Sequence, residues 1–505
     1  MFQVAKTLGI TSIEGKPINH PSQKGPTVTP KLPNGLNIPV ISNHFFDSES
    51  PSIAFDPAYS KDGYAFFTEY SSTPPYIECW VYETTNAGQS WSAYSEAPLN
   101  TPTDYCADPV VRYSPDGSTP YFVYESIRQD ESTSDLNFWY GSGPALRLIT
   151  GTPDMNFVDS AWIDVHQMNN AIMNIQGEPS QAGIVYATAT YFSAGHDEIA
   201  LFTSTNYGSS WFGIDLYDSF GNSYVTLSRA IGGMYDTAYG SVDFLVCWYD
   251  SDIDGQFRGV FDISCDWGVY GVGIVGPVSV AHNVKYEIYE YLCPYAPPNN
   301  DEGYGVAWTS MGPSIAISPD GVAHVVFAAS SYDPKNDNSK HGANYLKTNC
   351  GDIEYVRSKP FSYGTTSSWL AMKTAAGGSL AQLFPSITVQ QRPAYPPTPL
   401  GYRLYLFYYD AKNSPASCSA TSCYANILYD IYMRTSNNGG SSWSSDTRIT
   451  DQSSLADWVS MGTHIDSTSL SLVGNTVWVI WTDRSGRLSI YDEYDEIYTQ
   501  PVSTQ

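Results

Sequence analysis

Three octapeptides decide the fold: Thr84-Thr85-Asn86-Ala87-Gly88-Gln89-Ser90-Trp91, Ser204-Thr205-Asn206-Tyr207-Gly208-Ser209-Ser210-Trp211 and Ser436-Asn437-Asn438-Gly439-Gly440-Ser441-Ser442-Trp443. Each follows a strand-like run (ECWVYET, EIALFTS, DIYMRTS), and the common form is Ser/Thr-x-Asn-x-Gly-x-Ser-Trp. The chemistry is that of a tight turn. A short Asn side chain accepts hydrogen bonds from turn N–H groups, and Gly takes the φ > 0 position. The Trp ring is left to fill a gap between neighbouring units. Asn86, Gly88 and Trp91 are thus structural positions, as are Asn206, Gly208 and Trp211 and Asn438, Gly440 and Trp443. A degenerate copy, Ser264-Cys265-Asp266-Trp267-Gly268-Val269-Tyr270, follows VFDI and lacks the final Trp.

Working outward, the rest of a repeat stands upstream of each turn. Pro51-Ser52-Ile53-Ala54 precedes YAFFTEY, Asp108-Pro109-Val110-Val111 precedes YFVYES, and Ser160-Ala161-Trp162-Ile163 precedes GIVYATATY. The series continues with Ser228-Arg229 before DFLVCWYD, Pro313-Ser314-Ile315 before AHVVFAA, Pro385-Ser386-Ile387 before RLYLFYYD, and Gly462-Thr463-His464 before VWVIWTDR. Short Tyr-, Val- and Ile-rich runs separated by Ser/Asn/Gly/Pro turns read as an all-β chain. Self-similarity at this spacing reads as a radial repeat. Seven units start near residues 49, 104, 157, 226, 311, 380 and 460. The expectation is a single seven-bladed β-propeller over 36–505. Six blades is the alternative, because the second unit has no such turn. The last unit lacks a fourth strand, so Leu36–Asn43 (LNIPVISN) is expected to supply it and close the ring. Residues 1–35 read as a polar arm, and loop insertions are expected near 270–310, 329–343, 391–400 and 411–425.

The octapeptide resembles the Asp box, or BNR repeat, of sialidases and related propellers, with Asn for Asp in all three copies. The resemblance spans 49–502 at the level of repeats. It implies that the motif closes the hairpin between the third and fourth strands of a blade. The sialidase pattern would add three arginines for a substrate carboxylate, the first within Arg-Ile-Pro, a Tyr–Glu nucleophile and an Asp acid/base. Here the corresponding opening reads Ser50-Pro51-Ser52-Ile53-Ala54, and the first arginine is Arg112. Arg112, Arg229, Arg258, Arg403 and Arg484 remain as arginines in or beside strands, the fork geometry that suits a carboxylate.

Composition narrows the partner. The net charge of -27, from 24 basic and 51 acidic side chains, repels phosphate backbones and anionic headgroups, which argues against nucleic acid or a membrane surface. No apolar run is long enough to insert in a membrane, and no signal peptide is visible. Charged residues make up only 15% of the chain, against roughly 25% in a typical globular protein. A surface rich in Ser, Thr, Asn and Tyr fits an extracellular, cell-surface or virion-surface setting. The eight cysteines point the same way: Cys79 and Cys106 fall in neighbouring repeats, Cys247 and Cys265 on successive strands, and Cys418 and Cys423 flank a short loop.

Candidate site residues follow from the repeat. Glu49, Asp108, Asp159 and Asp236 stand beside innermost strands, where side chains would reach a central funnel. Two carboxylates facing each other there are what a glycosidase needs. Trp162, Arg229 and His464 occupy comparable places, and Tyr286 and Tyr289 lie in a Tyr-rich insertion suited to stacking on a sugar. Asp250-Ser251-Asp252-Ile253-Asp254-Gly255 has the opening of a calcium loop, although position twelve is Phe261 where the loop expects Glu. Asp250, Asp252 and Asp254 are therefore candidate Ca²⁺ ligands, and no cofactor is required. The first reading is a non-catalytic, surface-displayed propeller that recognises a glycan or a protein partner. An exo-acting glycoside hydrolase is the alternative, and a structural module that self-associates or mediates assembly is the third.

Overall fold

In the computed structural model the described residues are 37–41, 48–56, 61–70, 76–114, 117, 119–130, 132–141, 147–149, 157–165, 184–193, 196–220, 224–232, 243–251, 258–269, 273–287, 313–329, 352–361, 368–378, 382–391, 401–413, 428–455, 469–473, 476–483 and 496–503. They form seven antiparallel sheets and no helix. Blade one comprises Ser48–Phe55, Gly63–Tyr70, Ile77–Thr84 and Ser92–Glu96; blade two comprises Tyr105–Tyr113, Pro120–Ile127, Ser134–Tyr140 and Arg147–Leu148. Blades three to six begin at Phe157, Tyr224, Ser314 and Gln382. The first strands touch one another in sequence and the last touches the first, which closes a ring around a central axis. The second unit is a full blade, so the count is seven and the six-bladed alternative falls.

Closure is made by the N-terminal segment. Ile38–Pro39 pairs with Glu496–Ser503 and supplies the outermost strand of blade seven, whose other strands are Ser469–Val473 and Thr476–Asp483. Val40 N–H adds a bond to the Ile497 carbonyl, and Ile38, Val40 and Ile41 are buried.

Second strands read as almost unbroken apolar runs because each is covered on both faces by adjoining blades. Pro120–Ile127 (PYFVYESI) is buried throughout, as is Ala323–Ala329 (AHVVFAA). Outer strands are covered less: Ser92–Glu96 is half-buried at best. Among the described residues two disulfides are present. Cys79–Cys106 ties the third strand of blade one to the first of blade two, and Cys247–Cys265 joins neighbouring strands of blade four. Cys418 and Cys423 lie outside the described residues.

The three octapeptides adopt one geometry. In each, the Asn Oδ1 accepts from the preceding Ser or Thr hydroxyl (2.9, 3.0 and 2.9 Å) and from the following Ser N–H (3.0, 2.9 and 3.0 Å). The Asn Nδ2 donates to that Ser hydroxyl at 2.8 Å in all three, a bond that an Asp could not make. The glycines have φ of 68°, 79° and 75°. Each lies against a ring of the preceding blade: Gly88 on Trp478, Gly208 on Phe138 and Gly440 on Tyr355. Trp211 and Trp443 meet Phe138 and Tyr355 edge-on, at 4.9 and 5.4 Å between centroids.

Two sequence expectations change. The degenerate copy at 264–270 is not a turn; Ser264–Val269 lies inside the strand Arg258–Val269, where Asp266 pairs with Val246. The stretch 270–310, expected as a loop, contributes Gly273–Glu287 as the outermost strand of blade four. A fifteen-residue strand with Gly and Pro near its start escapes a reading based on unbroken β-formers. The expected insertions at 329–343, 391–400 and 411–425 fall almost wholly outside the described residues, as does the arm 1–35.

Antiparallel order fixes the two faces of the ring. First strands start, and second strands end, on one face, here called upper; the octapeptide turns lie on the lower face. Close to the upper end, the first strands of blades one, two, three, four and six share one irregularity. Register shifts between Glu49/Ser52, Ala107/Val110, Asp159/Trp162, Thr226/Arg229 and Leu383/Ser386, so two residues face one across the pair. Such a bulge bends the strand and releases backbone groups from the ladder.

Candidate active site

The bulges of blades two and three assemble a carboxyl cluster at the upper end of the ring. Asp108 is the first bulge residue of blade two and has φ 47°; Ser160 is its equivalent in blade three, with φ 63°. Left-handed backbone is uncommon outside glycine, although Asp tolerates it better than most residues. The turned backbone of blade three points its N–H groups at blade two. Ser160 N–H donates to Asp108 Oδ2 (3.1 Å) and also to Asp159 Oδ1 (2.8 Å), and Ala161 N–H donates to Glu125 Oε1 (2.8 Å). The groups freed by one bulge are thus satisfied by acids of its neighbour.

Asp108, Glu125 and Asp159 each bring a carboxylate oxygen within 4.8 Å of the others. Their exposures differ. Asp108 is half-buried and reaches solvent, whereas Glu125 and Asp159 are 1% and 2% exposed. Glu125 also hydrogen-bonds to the Asp108 side chain. Burial first, and then the charge of Asp108, hold the Glu125 carboxyl well above the usual carboxylate range. The cluster thus sets a solvent-reaching carboxyl beside a buried one that resists ionisation. Across the blade boundary, Tyr191 is buried and its phenol is pushed up by burial, then by Asp215 and Glu125.

Of the acids expected at the funnel, Asp108 and Asp159 come together. Glu49 stands at the same register as Asp159, the last paired residue before the bulge, opposite Thr68 in blade one; its side chain is outside the described set, as is Asp236. Trp162 is not in the cluster. It follows the bulge on the lower side, half-buried, with the Arg112 guanidinium 4.8 Å over its ring. Arg112 also donates to the Val111 carbonyl, and Arg403 is held by Asn437 in blade six. These two are separate. Arg229 pairs with Cys247 directly after the blade-four bulge, and Tyr286 pairs with Gly259 in the outer strand, so Tyr286 is not a loop residue. Tyr289, His464 and Arg484 lie outside the described residues.

Glu125 was missed by sequence reasoning. Its signal was present: a lone carboxyl near the end of YFVYES, in a strand otherwise suited to complete burial. Of the three candidate calcium ligands one is described. Asp250 is buried near the end of Phe244–Ser251, paired with Asp262 and 3.4 Å from the Ser264 hydroxyl, while Asp252 and Asp254 are outside the described residues.

No protein-family model and no curated protein sequence matches the chain. Solved structures do. An α-L-arabinofuranosidase of Fusarium graminearum aligns over 93% of this chain and 97% of its own, with 9% identity and a TM-score of 0.41. An α-L-arabinanase of Penicillium chrysogenum, complexed with arabinobiose, aligns over 93% and 98% with 10% identity and a TM-score of 0.38. A polysaccharide lyase aligns over 94% of each chain with 9% identity and a TM-score of 0.46. These are carbohydrate-active enzymes. The expectation of a non-catalytic, surface-displayed recognition propeller is corrected, since the structures that the chain resembles are of enzymes, and the enzyme alternative is taken up below as a proposal. At such identities the likeness is one of chain architecture, so the case for chemistry rests on the carboxyl cluster itself.

Proposed function

We propose that the protein is a carbohydrate-active enzyme, a glycoside hydrolase of sialidase-like propeller architecture, whose centre is Asp108 backed by Glu125 and Asp159. One observation carries this reading: a half-buried carboxyl on a left-handed bulge stands within 4.8 Å of a buried carboxyl at the upper end of the ring, whose ionisation burial and the neighbouring acid disfavour. Acids with unlike surroundings are the means by which a site keeps proton donor and acceptor at the same pH.

In this scheme a proton from Glu125, relayed through Asp108, goes to the glycosidic oxygen as the bond to the anomeric carbon breaks. The charge left on the pair is met by the Ser160 and Ala161 N–H groups. Water adds its hydroxyl to the anomeric carbon and its remaining proton returns to Asp108 and Glu125. Glu49, at the matching register of blade one, is the candidate for the opposing carboxylate. The three octapeptide turns serve as Asp boxes, bracing the ring without taking part in the reaction. The two disulfides support an extracellular setting.

The test is turnover of a panel of fluorogenic glycosides and soluble polysaccharides between pH 4 and 8, with Asp108→Asn alongside. Hydrolysis by the wild type and a fall of roughly 10²- to 10⁴-fold in kcat for the variant, with its circular dichroism unchanged, are expected. An inert wild type, or an Asp108→Asn protein with undiminished activity, would overturn the assignment.

A further inference from the structure

On the upper face beside Asp108, two tyrosines from different blades stand together. Tyr76 precedes the third strand of blade one and Tyr105 opens the first strand of blade two; their ring centroids are 6.5 Å apart and their planes are tilted by 52°. Tyr76 is 39% exposed, one of few large apolar side chains so open to solvent among the described residues. Tyr105 is half-buried and packs beside Ala107 on the core formed by Ile127 and Phe157. The site is braced: the Cys79–Cys106 disulfide joins these same two strands at the residue after Tyr105. Asp108 lies three residues on, about 10 Å along the strand. A rigid, solvent-facing ring at that distance from a carboxyl centre is where the next unit of a bound sugar chain would rest.

The charge around this pair limits what that sugar can be. Glu78, two residues after Tyr76, is paired with Glu69 across the sheet, and Glu96 stands opposite Trp80 on the next strand. Burial first, and then a neighbouring acid in each case, holds the carboxyls of Glu78 and Glu96 above their ordinary range. The Trp80 indole N–H donates to Glu78 Oε2 at 2.9 Å. With Glu69 and Asp108 these side chains make the described part of this rim mainly acidic, Arg128 after Ile127 being an exposed cation on the same edge. A substrate carboxylate would enter against it, whereas a sugar bearing only hydroxyls offers donors to acceptor-rich walls.

We propose that Tyr76 and Tyr105 form the platform for an uncharged sugar unit of the glycan processed at Asp108, and that the acidic rim excludes sialic and uronic acids. This rests on the function proposed above and can fail separately from it. The full-length Asp108→Asn protein is titrated by calorimetry with arabinobiose, xylobiose and cellobiose, and in parallel with 3′-sialyllactose and digalacturonate. Binding of at least one neutral sugar and of neither acid is expected. Tyr76→Ala in the same background should weaken that binding roughly two- to tenfold, and Tyr76→Phe, which keeps the ring, should restore it. Preference for either acidic sugar, no binding at all, or equal affinity after Tyr76→Ala would overturn the platform. Hydrolysis by the wild type alongside any of these results would leave the catalytic assignment standing. Binding through Tyr76 to a wild type that cleaves nothing would have the opposite effect.

Discussion

Glu125 is the residue on which the acid chemistry can be checked without a substrate. Its folded pKa is raised by burial and by Asp108. Below about pH 4 the carboxyl is protonated in folded and unfolded chains alike. Above that, the unfolded chain releases the proton and the folded chain keeps it, so stability falls as pH rises until the folded Glu125 ionises. Glu125→Gln, neutral throughout, should be stabilised relative to wild type at pH 8 and gain little at pH 4, as read from denaturant midpoints at the two values. An identical difference at both would show that Glu125 is not held protonated by the fold. The same residue marks a limit of legibility. Asp108 and Asp159 could be found from the repeat because they lie near the start of first strands. Glu125 comes from a second strand and reaches them only through the bulge, whose backbone turn leaves no sequence signature: its first residues are Ser50, Asp108, Ser160, Leu227 and Phe384.

Among the elements, the octapeptide turn was the most legible, since every bond it makes is local. What the sequence did not disclose was its partner, a ring on the preceding blade. Gly208 and Gly141 separate these two contributions. Both have left-handed φ, 79° and 76°, but a methyl group at Gly208 would come 2.1 Å from the Phe138 ring, and at Gly141 nothing lies within 4 Å. Gly141→Ala should cost about 1 kcal/mol in backbone conformation alone. Gly208→Ala should cost that plus a further 1–3 kcal/mol of overpacking. Equal losses in thermal unfolding would mean that the blade contact carries no energy. The degenerate copy at 264–270 misled for the complementary reason. Its Asp and Gly occur at turn spacing, but Gly268 pairs with both Phe244 and Ile274, so the ladder continues through it.

For the whole molecule, seven blades and the identity of the closing segment were legible because repetition is a global signal that survives local ambiguity. The function was not. A ring of sheets leaves the reacting groups to a few side chains at one end, and three acids among 51 carry no pattern of their own. Closure makes its own prediction. Removal of residues 1–35 should leave the melting temperature within a few degrees of wild type. Removal of 1–43 also takes Ile38, Val40 and Ile41 out of the core, at about 1.5–3 kcal/mol each, and exposes the edge of Glu496–Ser503. That second truncation should melt markedly lower and aggregate; if the two behave alike, the closing strand does not hold the ring.

The pairing of Ile38–Pro39 with Glu496–Ser503 also sets an order of events during synthesis. That strand is translated after every other strand of the seven blades, so the six preceding blades can emerge and pack before it. The seventh stays open until Glu496–Ser503 leaves the ribosome, with the early strand held in reserve until then. Slow translation of that stretch would therefore lengthen the life of an open, unsealed ring, the stage at which a chaperone would find its edge.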